Sequence, residues 1–83
     1  MTLLERVARA KQVWDLLLPA CAPPDDCQFA RWVSRFHDDE IDWAFTRVAG
    51  KKAKGFLPDS DSAYKYATGV MVNERKASEV GNA

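Results

Sequence analysis

The chain is poor in the residues from which metal sites are usually built. Among 83 residues there are two cysteines and one histidine. Cys21, Cys27 and the distant His37 cannot supply four zinc ligands at any known spacing. We therefore expect no metal and no cofactor. We expect two free thiols in a reducing compartment, with a single disulfide as the alternative.

Motifs for catalysis are also missing. The sequence contains no phosphate-binding glycine loop, no dinucleotide fingerprint and no G-x-S-x-G nucleophile turn. We interpret His37 as part of a turn between helices, beside Asp38 and Asp39. The acidic residues over 38–42 lack calcium-loop spacing and are explained by helix capping. An enzyme is therefore not expected.

Long apolar runs are absent as well, so nothing suggests a membrane-spanning segment. Arg6, Arg9 and Lys11 precede "VWDLLLPACA", which superficially looks like a lipoprotein signal. Asp15 interrupts this segment, and the run Leu16–Leu18 is shorter than the roughly seven to fifteen apolar residues of a signal peptide. We expect a cytoplasmic protein without membrane contact.

Helical periodicity is what the sequence does contain, whereas alternating β patterns and hairpin turns are missing. The length allows one domain, over residues 1–76, followed by a frayed tail over 77–83. The pattern predicts an all-α, compact bundle of about four short helices, at approximately 3–18, 26–36, 39–50 and 61–75.

Capping residues define the ends of these helices. Thr2 and Glu5 form a capping box. Gly50 is expected to end the third helix, although the helix could continue towards Gly55. The expected N-caps of the other helices are Asp25 or Asp26, then Asp38, then Ser60 or Asp61.

Charges are segregated along the chain, although twelve acidic and twelve basic residues cancel overall. Acidic residues dominate 25–42, whereas 47–54 carries only basic ones. A flexible basic loop beside a helix with Tyr, Lys and Arg is typical of a surface that holds phosphates and exposed bases. A helix-turn-helix is disfavoured, because the third helix would present "DDEID" to phosphates. The predicted nucleic-acid-binding residues are Lys51, Lys52, Lys54, Tyr64, Lys65 and Arg75.

The first helix supports a second hypothesis, because it carries more apolar surface than one face needs. The chain would then be a helical protein–protein adaptor without nucleic-acid binding, acting as a homodimer or with another partner. Alternatively, this helix simply closes the core. The candidate interface residues are Leu3, Leu4, Val7, Trp14 and Leu18.

The segments "FARWVSRF", "DDEIDWAFTRVAGKKAKG" and "YKYATGVMVNE" together give residues 24–75 a family likeness. This region resembles the C-terminal domain of DnaD-like primosomal proteins, which are bacterial or phage replication-initiation proteins. Glu74 stands where that family has a tryptophan implicated in DNA contact. The positions that match the family scaffold are Trp32, Ile41, Ala44, Tyr66, Val70, Met71 and Asn73.

The resemblance implies a small helical module that binds DNA non-specifically, either as a single strand or as a duplex, and contacts replication proteins. It does not cover the first helix, and "FLPDSD" is an addition before Tyr64. Together with the basic loop, it predicts an accessory module of DNA replication.

Overall fold

A computed structural model describes the backbone of residues 1–81 and the side chains of residues 1–77. The regular structure of these residues is helical. The described residues contain no strand, so the prediction of an all-α bundle is confirmed. α3 packs against α4, and α1 packs against both α2 and α3. The four helices are α1 (Leu3–Leu17), α2 (Asp26–Arg35), α3 (Asp38–Ala53) and α4 (Ser60–Gly81).

Local capping chemistry determines where α1 and α2 begin. The Thr2 hydroxyl accepts a 3.2 Å hydrogen bond from the Glu5 amide, and the Glu5 carboxylate accepts one from the Thr2 amide. This is the expected capping box. Asp25 caps α2 by accepting a 2.9 Å hydrogen bond from the Gln28 amide. Both N-caps agree with the sequence prediction.

The cap predicted for α3 is wrong by one residue. His37 is the N-cap, and its backbone N–H donates to Glu40 at 2.7 Å. Asp38 is instead the first helical residue and accepts a 3.0 Å hydrogen bond from Arg6. Asp38 is therefore used in a tertiary contact, which a local capping rule does not anticipate.

The cap predicted for α4 is also displaced. Asp59 accepts a 2.7 Å hydrogen bond from the Ser62 amide, and the Asp59 carbonyl accepts from the Ala63 amide. Ser60 is already helical. The bond from Ser62 lowers the pKa of Asp59, because it favours the charged carboxylate. Asp59 therefore starts α4 in place of Ser60 or Asp61.

Gly55, not Gly50, closes α3. The helix continues to Ala53, and Gly55 then adopts a left-handed φ of 86°. The Gly55 amide donates to the Lys52 carbonyl and the Phe56 amide to the Lys51 carbonyl, both at 3.0 Å. These two bonds form a Schellman motif, which requires the left-handed residue that glycine supplies most easily. The predicted helix end at 50 is therefore wrong, and the alternative near Gly55 is correct.

α4 is longer than the periodicity indicated. It continues to Gly81, so the backbone of 77–81 is helical although a frayed tail was predicted there. Residues 82–83 of that predicted tail lie outside the described residues. As far as the chain is described, no helix combines the length and apolar character that crossing a membrane requires.

Trp14 lies at the centre of the core. Its ring stacks on Trp32 at 6.2 Å between centroids and meets Phe29 and Phe45 edge to face at 6.2 and 5.1 Å. Its indole N–H donates a 3.2 Å hydrogen bond to the Cys21 carbonyl. Aromatic pairs in these geometries add about 0.5–1.5 kcal/mol each beyond burial. One α1 residue therefore connects α2, α3 and the loop between α1 and α2.

Arg6 joins the same helices at the edge of the core. Its guanidinium donates to the carbonyls of Val33 and Phe36 at 2.6 and 2.9 Å, and also to Asp38. The two carbonyls belong to the end of α2, where no further helical N–H is available to them. Arg6 therefore satisfies the end of α2 and holds the start of α3 against it.

The two glycines near the end of α3 should respond oppositely to substitution. Gly50→Ala should raise the free energy of unfolding by about 0.5–1 kcal/mol, because a methyl group there meets no atom within 4 Å and favours a helix. Gly55→Ala should lower it by about 1 kcal/mol, because alanine disfavours positive φ. Urea unfolding of both variants measures the difference. Destabilisation by Gly50→Ala would indicate that the helix ends at Gly50 after all.

Candidate nucleic-acid interface

An outer line of side chains on α3 alternates aromatic and cationic groups. Trp43, Arg47 and Lys51 are four residues apart, which places them along one helix surface. The Arg47 guanidinium lies 5.7 Å from the Trp43 ring centre, and the Lys51 ammonium lies 5.0 Å from Phe56 and 6.0 Å from Tyr66. We call these five residues the aromatic–cation stripe.

A shallow cavity of about 580 Å³ adjoins the stripe along α3 and α4. Arg47 contributes from α3 and Lys65 from α4, and both side chains are exposed. Tyr66 and Val70 are half-buried and give the cavity apolar surface. The cavity thus combines apolar walls with cations, as an open groove for an anionic polymer requires. Its remaining lining residues are Leu57, Ser62, Gly69 and Asn73.

The loop that follows α3 is shaped to hold Phe56 outside the core. The Schellman motif fixes the Phe56 backbone, and Leu57 then adopts an uncommon left-handed φ of 59°. The Lys52 ammonium donates a 3.1 Å hydrogen bond to the Leu57 carbonyl. Leu57 packs against the core, whereas Phe56 remains 57% exposed. The loop therefore displays one aromatic ring at the end of the groove.

The predicted lysines divide by role. Lys54 and Lys65 are exposed, as residues that contact phosphates should be. Lys51 is half-buried between aromatic rings but keeps its charge at the surface. Lys52 is half-buried and bonded to Leu57, so it supports the loop. Lys65 therefore lines the groove, Lys51 lies beside Tyr66 at its edge, and Lys54 is exposed just after the last helical residue of α3.

Tyr64 and Arg75, also predicted to contact nucleic acid, hold α4 to the bundle. The Tyr64 hydroxyl donates a 2.7 Å hydrogen bond to the Ala22 carbonyl, and its ring lies 5.7 Å from Trp14. Arg75 donates to Glu40 on α3 at 3.0 Å. Both side chains are therefore engaged in packing contacts. Sequence periodicity could not reveal this, because both partners are remote in sequence.

Carboxylates gather at the opposite end of α3. A second cavity, of about 320 Å³, is lined by His37, Asp39, Glu40, Trp43 and Glu74. Trp43 therefore stands between the basic end near the loop and this acidic end. Glu74 is exposed there and adds negative charge. The α3–α4 face is consequently basic at one end and acidic at the other.

The residues that match the family scaffold are mainly structural. Trp32 is buried and donates a 3.0 Å hydrogen bond from its indole nitrogen to Thr68. Tyr66 and Val70 are half-buried beside the groove, and Asn73 is exposed in it. These contacts are compatible with a scaffold role. The remaining scaffold residues, Ile41, Ala44 and Met71, are fully buried.

The candidate interface on α1 is split by the fold. Val7, Trp14 and Leu18 are buried in the core. Leu3 is 52% exposed and Leu4 79% exposed. The alternative that α1 closes the core is therefore correct for three of the five residues, and two remain available to a partner.

Trp43 and Phe56 were not anticipated as site residues. Trp43 lies outside the apolar stripe of α3, and Phe56 lies in a loop that periodicity does not address. The available signal was a tryptophan four residues before an arginine, a spacing that brings them together on a helix. Arg47 was recognised as part of the basic segment only.

Comparisons with protein-family models, with characterised proteins and with solved structures find no match for this chain. Among the residues that the structure describes, no three His, Cys, Asp or Glu side chains converge to hold a metal ion. Cys21 is buried and Cys27 exposed, both as free thiols. The surface geometry is therefore the basis for assigning a function.

The Glu40–Arg75 ion pair should make the free energy of unfolding depend on pH in the acidic range. The hydrogen bond from Arg75 lowers the pKa of Glu40, and the His37 amide acts in the same direction. A lowered pKa stabilises the fold above the ordinary pKa of 4.5, and this contribution is lost as the pH falls through the lowered value. Glu40→Gln should therefore cost about 0.5–1 kcal/mol near neutrality.

Urea unfolding between about pH 7 and about pH 2 measures this dependence. The difference between wild type and Glu40→Gln should disappear at the acidic end. Asp15→Asn, which removes an exposed carboxylate from α1, is the matched control and should change little at either pH. A difference for Glu40→Gln that stays constant with pH would exclude an ionic contribution.

Proposed function

We propose that this chain is a small DNA-associated module that binds DNA without sequence specificity through the α3–α4 face. The observation that carries this proposal is the placement of Arg47, Lys51 and Lys65 beside aromatic side chains along the groove, with Lys54 exposed at the end of α3. Cations along an open groove attract phosphates and release their counterions on binding. Such contacts carry no sequence information, so the binding is non-specific.

The geometry supports surface binding along the groove better than insertion of a helix into DNA. The first turn of α3 contains Asp38, Asp39 and Glu40, which would be repelled by phosphates. The cations lie instead in the second half of α3 and at the start of α4. Lys52 acts indirectly, because its bond to Leu57 fixes the loop that carries Lys54.

The replication role in this proposal is supported by the resemblance of residues 24–75 to DnaD-like domains. Since Glu74 replaces that family's tryptophan, this chain would contact DNA nearer the loop than the C-terminal half of α4. The acidic end, with Asp39 and Glu74, would face away from phosphates. Replication proteins are then the expected partners, and the chain is an accessory module.

The adaptor function has less support. Only Leu3 and Leu4 of its predicted interface remain exposed, together with Leu16 further along α1. A homodimer through these side chains remains a prediction. Sedimentation at several protein concentrations checks it, because self-association shifts the apparent mass with concentration.

Removing the two exposed lysines should weaken DNA binding and its salt dependence. If Lys54 and Lys65 each contact one phosphate, Lys54→Ala/Lys65→Ala should make the log–log salt slope less steep by about 1.8 on duplex DNA. On single strands the change should be about 1.4. Fluorescence anisotropy with a labelled oligonucleotide at several salt concentrations measures both slopes.

A matched control removes two cations from other helices. Lys11→Ala/Arg31→Ala takes the same charge from α1 and α2 and should leave the slope nearly unchanged. Equal losses in both double variants would indicate a general effect of charge. Unchanged affinity and slope in Lys54→Ala/Lys65→Ala would refute binding through this face.

A further inference from the structure

We infer that Phe56 and Trp43 stack on unpaired bases, so that the bound ligand is a single strand whose bases take part in binding. This inference rests on the proposed function and adds the substrate class and two contact residues. Aromatic platforms beside a basic groove bind single strands with little sequence preference, because every base has a flat face.

The backbone around Phe56 is the first support. An exposed ring would normally be expected to fold back onto a small apolar core. Here the Schellman motif, the left-handed Leu57 and the Lys52 bond to the Leu57 carbonyl hold it out. A left-handed leucine costs roughly 1–2 kcal/mol, and such local strain is concentrated at functional sites. The loop therefore uses an unfavourable conformation to display a ring.

The position of Trp43 is the second support. It is 45% exposed, whereas Trp14 and Trp32 are buried. Eight residues separate it from Lys51, which places the two about 12 Å apart along the helix. Arg47 lies between them and contacts the Trp43 ring. Along the stripe the order is therefore ring, cation, cation and ring, formed by Trp43, Arg47, Lys51 and Phe56.

This order matches the chemistry of a single strand. Phosphates can approach Arg47, Lys51 and Lys65, while bases that are not paired can turn towards Trp43 and Phe56. In duplex DNA the base faces are covered by stacking neighbours, so these rings would gain little from it. Cations alone would bind single-stranded and duplex DNA alike. The exposed rings are the feature that would favour the single strand.

The acidic end limits how far the strand extends. Asp39 and Glu74 lie beside Trp43 and would repel a phosphate that passed beyond it. The strand should therefore occupy the segment from the loop to Trp43. Glu74→Gln should strengthen binding modestly at low salt, because it removes this repulsion.

The test compares a short oligothymidylate with an abasic oligonucleotide of equal length, which has the same phosphates and no bases. Wild type should bind the oligothymidylate more tightly, and its binding should alter the tryptophan emission. Phe56→Ala should weaken that binding by a factor of about 5 to about 160, the range expected for loss of one stacked base. Its affinity for the abasic strand should not change.

Two further variants show which side chain causes the change in tryptophan emission and whether the loss of affinity is specific to the stripe. Trp43→Phe keeps an aromatic ring, so it should retain binding but lose the emission change. Leu16→Ala removes an exposed apolar side chain from α1 and should affect neither oligonucleotide. Thermal unfolding of each variant confirms that it is folded before its affinity is compared.

The outcomes separate the two proposals. Equal affinity of wild type for the abasic and thymidylate strands would overturn base stacking while leaving phosphate binding in place. A duplex of equal length that binds more tightly than oligothymidylate would overturn it as well. If neither single strand nor the duplex binds, both the proposed function and this inference are overturned.

Discussion

The fold depends on the burial of one indole ring. Trp14 contacts aromatic residues of the other three helices, including Phe45 on α3 and Tyr64 on α4. A buried indole N–H needs an acceptor, and the Cys21 carbonyl provides it. This hydrogen bond constrains the path of the loop between α1 and α2, because the Cys21 carbonyl must lie beside the Trp14 ring. The positions of the helices relative to one another follow from how their rings pack around Trp14.

That packing explains why the outer side of α3 is available for function. The buried residues of α3, such as Ile41 and Val48, face the Trp14 cluster. The residues on its outer side have no comparable role in the core, and Trp43 remains accessible although it is large and apolar. A domain of this size has little apolar surface to spare. The exposed Trp43 beside Arg47 is the feature on which the proposed stacking role depends.

Local chemistry made part of this structure predictable from sequence. Thr2 and Asp25 cap their helices through neighbours three residues away, and helical periodicity identified the four helices. Gly50 was misinterpreted because a second glycine, Gly55, can also end the helix, and its positive φ is visible only in the structure. Tyr64 was assigned to the surface because its partners, Trp14 and Ala22, are distant in sequence. The misplaced cap of α3 has the same origin, because Asp38 is used in a contact with Arg6.

The separation of charge along the α3–α4 face has a consequence for encounters in solution. The chain carries no net charge, so it is neither attracted to nor repelled from a polyanion as a whole. Its basic and acidic ends nevertheless form an electric dipole. Within about 10 Å at 0.1 M salt, the field of a polyanion would exert a torque on this dipole and turn its Lys54 end towards the polyanion. The protein would thus be oriented before contact, and the rate of productive collisions would depend on rotation as much as on attraction.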